Sequence, residues 1–411
     1  GVAGGGVQRG AFRGRGRGQP DFQHGRPDGV HWHQRPGEPC FLPHANGGVL
    51  SVSEGGTAEL NGPATFRDNS IQVKRRTTIE NGAAIYNEGT VHLRGGATFS
   101  RNFVHLSSSS SSLTQGGGWG GGGALWNGPS GRMVVGAAAT LEGNGVLGAG
   151  GRGGGLLNKG FVQFDGAANF LLNEAEGPGG GMFNEGGMVR FKGAATFSEN
   201  EALTASAFVN SAGGKVALRG ETSIVDNTSQ EEESSGSEAG AVWNQADSVI
   251  FCAGRVEWQR NRGYQAGAML NAGKVVFRGE LSVQDNTAVM DGGGFINETG
   301  ARIVFYRGAE FLNNVGTGYG GAILNHGELD FDSNQDDDDG DDDDDGEGEG
   351  ETEGGEASPF TLNFDGNYCG EQECQDVQNK EGSKIVGLHQ HVPDLCDIGS
   401  QEIVPYKLRN R

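Results

Sequence analysis

The sequence predicts an all-β chain, a right-handed parallel β-helix solenoid of about ten coils, and three observations lead there. A block of about 26 residues recurs along most of the chain, each block carries period-two stretches bounded by glycine, and glycine makes up 78 of 411 residues while hydrophobics reach only 34%. That much glycine is incompatible with long helices, and so few apolar residues cannot fill one large globular core. Short units that stack and share one narrow core meet both constraints.

The unit reads as in GGGMFNEGGMVRFKGAATFSEN, residues 179 to 200. It begins with small residues and two or three apolar ones ending on asparagine. These first asparagines, Asn87, Asn127, Asn158, Asn184, Asn210, Asn244, Asn271, Asn297 and Asn325, are separated by 40, 31, 26, 26, 34, 27, 26 and 28 residues. A glycine turn follows, then an alternating stretch, VHLRG, VQFDG, VRFKG or VALRG, whose period of two is that of a strand. A second glycine turn leads to FRDN, FSRN, FLLN, FSEN, FLNN or FDGN, with the variants LEGN, IVDN, WQRN and VQDN. The residue three before this second asparagine is apolar in every copy, as expected if each coil sets it over its equivalent below. Three strands per coil are therefore predicted, each coil rising about 5 Å. Asparagines repeated at a turn predict amide ladders along the rod, as in stacked cross-β assemblies.

The inserts fall at defined places. From second asparagine to the next first asparagine the gap is 10 or 11 residues in five coils, but 25 in the coil with the serine run starting at Ser107 and 17 in the coil with TSQEEESSGSEAG. These loops leave the rod at one turn. The expected organisation is a disordered Gly/Arg-rich leader over 1–40, the repeat domain over 41–367 with an acidic disordered insert at 335–357, and a Cys-containing tail over 368–411.

The net charge is −22, of which residues 336 to 356 contribute nine Asp and five Glu without a single cation; −8 is left for the rest. No apolar run approaches the roughly 20 residues of a membrane span, so no transmembrane segment is expected. The opening residues GVAGGGVQRG hold neither an initiator Met nor an apolar leader core, so the start of the chain is expected to be missing or processed. RGRGRG at 13 to 18 resembles a nucleic-acid tail but lacks interleaved aromatics, and no nucleic-acid partner is expected. Cysteines 40, 252, 369, 374 and 396 are odd in number, so at least one is unpaired. Cys252, inside VIFCAG, reads as a small buried thiol, and a disulfide among Cys369, Cys374 and Cys396 would suit an oxidising compartment, its pairing left open. The pairs His31/His33 and His389/His391 match no zinc spacing, and no metal or cofactor is expected.

The alternation of GGAL (122 to 125) or GGAI (320 to 323) with FxxN resembles the repeat of the chlamydial polymorphic outer membrane proteins, over residues 47 to 367. Similar repeats occur in Gly-rich surface proteins of algae. The resemblance implies a pectin-lyase-like right-handed β-helix displayed extracellularly or at a cell surface, with adhesion as its role. The membrane β-barrel that exports the bacterial members is not in this sequence.

Two candidate sites follow. Arg94, Lys192, Arg219, Arg278 and Arg307 each precede the glycine after the second strand, and a column of like charge on adjacent coils is unfavourable unless an anion lies along it. An extended sulfated or uronic-acid polysaccharide is the predicted partner. The competing explanation is pairing with Glu221, Glu280 and Glu310, which follow closely. Glu199 and Asp226, before the second asparagine on neighbouring coils, stand at the carboxylate separation of a retaining glycosidase. No second convergent group accompanies them, and a turn favours such residues anyway. The expected function is thus non-enzymatic adhesion, with a carbohydrate-active enzyme or a structural cell-wall component as alternatives. Sequons at Asn227 and Asn297 are candidate glycosylation sites, the latter disfavoured by its place in the ladder.

Overall fold

A computed structural model describes residues 21–22, 48–73, 82–106, 120–230, 239–331, 361–369, 377–380 and 383–386. Among these there is no helix, and the strands form four sheets of eleven, eleven, eleven and ten members, all paired in parallel. The acidic insert, most of the leader and tail, and the histidine pairs lie outside the described residues.

One coil shows the path. Met182–Glu185 enters sheet 1, Met188–Phe191 sheet 2, Ala195–Ser198 sheet 3 and Glu201–Thr204 sheet 4. The next coil repeats the order one layer up, with Asn184 facing Asn210, Phe191 facing Leu218 and Phe197 facing Ile224. The expectation of three strands per coil is corrected to four. The fourth is only two to five residues long, as in Thr228–Ser229 and Glu174–Pro178. The two-residue copies show no period of their own; pairing to the coils on either side makes these residues a strand.

The columns expected from the repeat are in register. Phe66, Phe99, Leu141, Phe170, Phe197, Ile224, Trp258, Val283, Phe311 and Phe364 face one another in succession through sheet 3. Rings stack where both neighbours are aromatic, at 5.0 Å for Phe66 on Phe99 and 4.7 Å for Phe170 on Phe197. They join the inward residues of sheets 1 and 2 in a single core running along the rod. A second apolar spine lies on the far side of sheet 1, where Tyr86, Trp126, Leu157, Phe183 and Val209 pack with Ala205, Ala239 and Ala266. This accounts for the small residues before each first asparagine. A Cβ on Gly123 would stand 2.0 Å from the Gly154 carbonyl, so only glycine lets that segment lie against the next coil.

Both amide ladders are continuous. In the first, each Asn Nδ2 donates to the Oδ1 of the next coil, from Asn87 to Asn127 at 2.7 Å up to Asn297 to Asn325 at 2.8 Å. The intervening rungs Asn158, Asn184, Asn210, Asn244 and Asn271 are bonded likewise. The second runs from Asn69 to Asn367 in the same way. The residue before each second asparagine is left-handed, with φ of 53° at Glu199, 56° at Asp226 and similar values throughout; eight of these ten are not glycine. The amide that follows locks the turn, offsetting a strain of about 1 kcal/mol per residue.

The solenoid extends beyond its expected boundaries. Val377–Asn379 and Lys384–Val386 pair onto sheets 1 and 2, and Asn325 Nδ2 donates to Asn379 Oδ1 at 2.9 Å, so the sheets continue past residue 367. VQN is preceded by Gln375 and Asp376 in place of the small residues that precede the other first asparagines, which is why the sequence hid it. At the other end Asp21–Phe22, within the leader, pairs with Thr65 and Phe66.

A candidate polyanion-binding face

The strand pairing decides whether the predicted cations form a column. Cys252, Phe277 and Phe305 are successive partners in sheet 2, and the amides of Ala253, Arg278 and Tyr306 each donate to the preceding coil. Tyr306 therefore holds the position expected for Arg307, which is displaced by one residue. Read in register, the column is Arg94, Gly136, Asp165, Lys192, Arg219, Ala253, Arg278 and Tyr306. Only Lys192 and Arg219 are neighbours, so the unbroken like-charge column is corrected to an interrupted one. The sequence misplaced Arg307 because the extra residue before its glycine is invisible without the register.

Two of the predicted cations meet carboxylates outside the Glu221, Glu280 and Glu310 set. Arg94 bonds Glu59 at 2.5 Å and Lys192 approaches Asp165 at 4.0 Å, each on the coil below. Arg278 lies over Phe251 and Tyr306, 5.2 and 5.7 Å from their ring centres.

Taken as a face, sheet 2 is basic. From Thr90–Leu93 to Arg302–Phe305, the strands and the two residues after each carry Arg94, Arg132, Arg190, Lys192, Lys215, Arg219, Lys274, Arg278, Arg302 and Arg307 against one carboxylate, Asp165. Over the same coils the sheet 3 strands and the two residues after each carry Glu142, Glu199, Asp226, Glu257, Asp285 and Glu310 against Arg101 and Arg260. The chain is acidic overall, yet this stretch of sheet 2 is cationic.

At the opposite edge of this sheet lies a shallow groove of about 440 Å³, over the turns that carry the first ladder. Its floor is the in-register column Arg132, Phe161, Met188 and Lys215. The groove lies where only Lys159 and Gly160 separate the ladder asparagine from the next strand, against four residues at 128–131 and three at 185–187. Gly160 sits so close beneath its neighbour that a Cβ would meet the Gly128 and Gly131 carbonyls at 2.3 Å. The Arg132 guanidinium stacks on Phe161 at 4.3 Å, and Lys159 approaches Glu185 at 3.6 Å. Arg132 and Lys215 are exposed, and among the described residues neither side chain has an ion pair or hydrogen bond. Sequence reading missed both because they open their strands, away from the glycine that marked the other cations.

Glu199 and Asp226 do occupy one turn on neighbouring coils. Asp226, however, takes two hydrogen bonds from Arg260, at 2.7 and 2.8 Å, which hold its carboxyl below the usual range. Glu174 behaves oppositely. Partial burial, then Glu201 in register on the next coil and Glu176, push its carboxyl up. Cys252 is fully buried and burial raises its thiol far above the ordinary value, in keeping with an inert core residue. Asn227 and Asn297 are both fully buried ladder rungs, so neither sequon presents an amide for glycosylation. Among the described residues no group of three or more His, Cys, Asp or Glu side chains is placed to hold a metal ion, and no helix is long and apolar enough to cross a membrane. The chain matches no protein family, no curated protein and no solved structure.

Proposed function

We propose that this chain is a non-enzymatic, extracellular or surface-displayed β-helix of the polymorphic outer membrane protein type, adhering to acidic polysaccharide through its basic sheet face. The observation that supports this reading is the excess of cations, ten against one carboxylate, on the sheet 2 strands from Thr90–Leu93 to Arg302–Phe305, between Glu59 on the coil below and Glu328 and Asp330 on the coil above. Such an excess sets up a local positive potential that steers and holds an extended polyanion while the remaining faces repel it. Polyuronates and sulfated glycans immobilised on a surface should retain the protein at low salt and release it as screening shortens the Debye length from about 10 Å at 0.1 M to about 3 Å at 1 M. Reversing the adjacent pair, Lys192→Glu with Arg219→Glu, should weaken retention at least several-fold. Retention unaffected by both salt and reversal, or depolymerisation of the glycan, would overturn the proposal. Equal, unselective neglect of every glycan would point to a purely structural wall component.

A further inference from the structure

Resting on that reading, we infer that the groove formed by Arg132, Phe161, Met188 and Lys215 is a discrete subsite for a uronic-acid polysaccharide lying parallel to the rod axis. Four features converge on that ligand. First, the column is cation, aromatic ring, thioether, cation on four successive coils, so charge stands at both ends and apolar surface between. Each sugar of a uronate chain carries both a carboxylate and C–H ring faces, so the first and fourth carboxylates of a tetramer can meet the two cations while the ring faces between them lie on the apolar floor. Second, Arg132 to Lys215 spans three coil steps, about 14 Å at the spacing of hydrogen-bonded strands. A linear pyranose chain advances by nearly the same distance per sugar as this solenoid does per coil, so successive sugars meet successive coils in register.

Third, Arg132 is pre-oriented. Its guanidinium carbon lies over the Phe161 ring, 4.3 Å from the centre, which holds the group at the floor while its N–H donors, unpaired among the described residues, remain able to grip a carboxylate with two bonds. Fourth, the turns flanking the floor are mostly glycine, Gly131, Gly160, Gly186, Gly187 and Gly213, with Pro129, Ser130 and Lys159 the only side chains they add, so a sugar can approach the backbone closely. The apolar floor distinguishes this subsite from the remainder of the basic face, where charge alone is offered. It favours a carboxylated sugar, whose ring faces remain bare, over a heavily sulfated one.

Titration calorimetry of the full chain with β-linked oligomannuronates of two to eight sugars tests the inference. Affinity should climb to a plateau at about four sugars, the number of coils in the column. Arg132→Ala and Lys215→Ala should each weaken the tetramer roughly 3- to 10-fold, the ordinary range for one charge-assisted contact. Phe161→Leu should weaken it too, by freeing Arg132, while leaving dextran sulfate binding unchanged. Arg101→Ala, which removes an exposed cation paired with Asp68 outside sheet 2, serves as the control and should change neither. Circular dichroism verifies that each variant retains its strands. If the wild type binds oligomannuronate but Arg132→Ala and Lys215→Ala do not weaken it, the groove is excluded while the basic face survives. If the wild type binds no polyanion, both proposals fall.

Discussion

Replacing Asn200 by alanine isolates what the second ladder contributes. The Asn200 side chain makes four hydrogen bonds: Oδ1 accepts from the Asn173 amide and from Asn173 Nδ2, both at 3.0 Å, and Nδ2 donates to the Phe170 carbonyl and to Asn227 Oδ1, both at 2.9 Å. Asn200 is 1% exposed, so the groups left behind gain no water. At about 1 kcal/mol per bond, and more for a donor stranded in the interior, the substitution should cost about 4 kcal/mol. Asn69, at the end of the same ladder, makes one side-chain bond, to Asn102 Oδ1 at 2.7 Å, and Asn69→Ala should cost about 1 kcal/mol. Urea denaturation followed by far-UV circular dichroism reads both, with a midpoint shift of roughly 1 to 2 M for the interior rung and a fraction of that for the end. Equal shifts for the two variants, or a loss below about 1 kcal/mol for Asn200→Ala, would refute the claim that shared amides along the axis, rather than the turn itself, supply this stability.

Two further outcomes concern pH. The Asp226 carboxyl is depressed by Arg260, so the pair stabilises the fold above the unfolded carboxylate range, near 4, and ceases to do so as pH falls through the lower folded value. Arg260→Gln should therefore lower stability by about 0.5 kcal/mol at pH 7, as an exposed pair warrants, and by nothing near pH 2; a gap independent of pH in thermal melts would contradict this. Glu174 is raised, so its ionisation costs stability once pH exceeds the unfolded range, and Glu174→Gln should stabilise by roughly 0.5 kcal/mol at neutral pH and not at all at pH 3. Destabilisation at neutral pH would show that Glu174 has a favourable partner instead.

The sequence carried the rod because its core positions repeat in chemistry as well as in spacing. Phe66, Phe99 and Phe170 recur three residues before an asparagine, and that fixed offset is all a column needs. What it concealed is whatever depends on register. The fourth strand shrinks to two residues from Thr228–Ser229 onward, Asn379 lacks the small residues that precede the other rungs, and Tyr306 moves Arg307 out of line by a single residue. The groove was illegible for a related reason. It lies where neighbouring turns differ in length, and Arg132 and Lys215 acquire meaning only once 82 residues of intervening chain are wound into three coils.

Every rung of both ladders points the same way, with an amide N–H of the earlier coil reaching the oxygen of the later one. Aligned dipoles of this kind polarise one another, and they leave the two ends of the rod unlike. An emerging chain that has wound several coils shows hydrogen-bond donors on its newest surface, and the asparagine oxygen of the next coil accepts from them. Assembly then has a direction written into it, from the first residues made toward the last, with each finished layer serving as the mould for its successor.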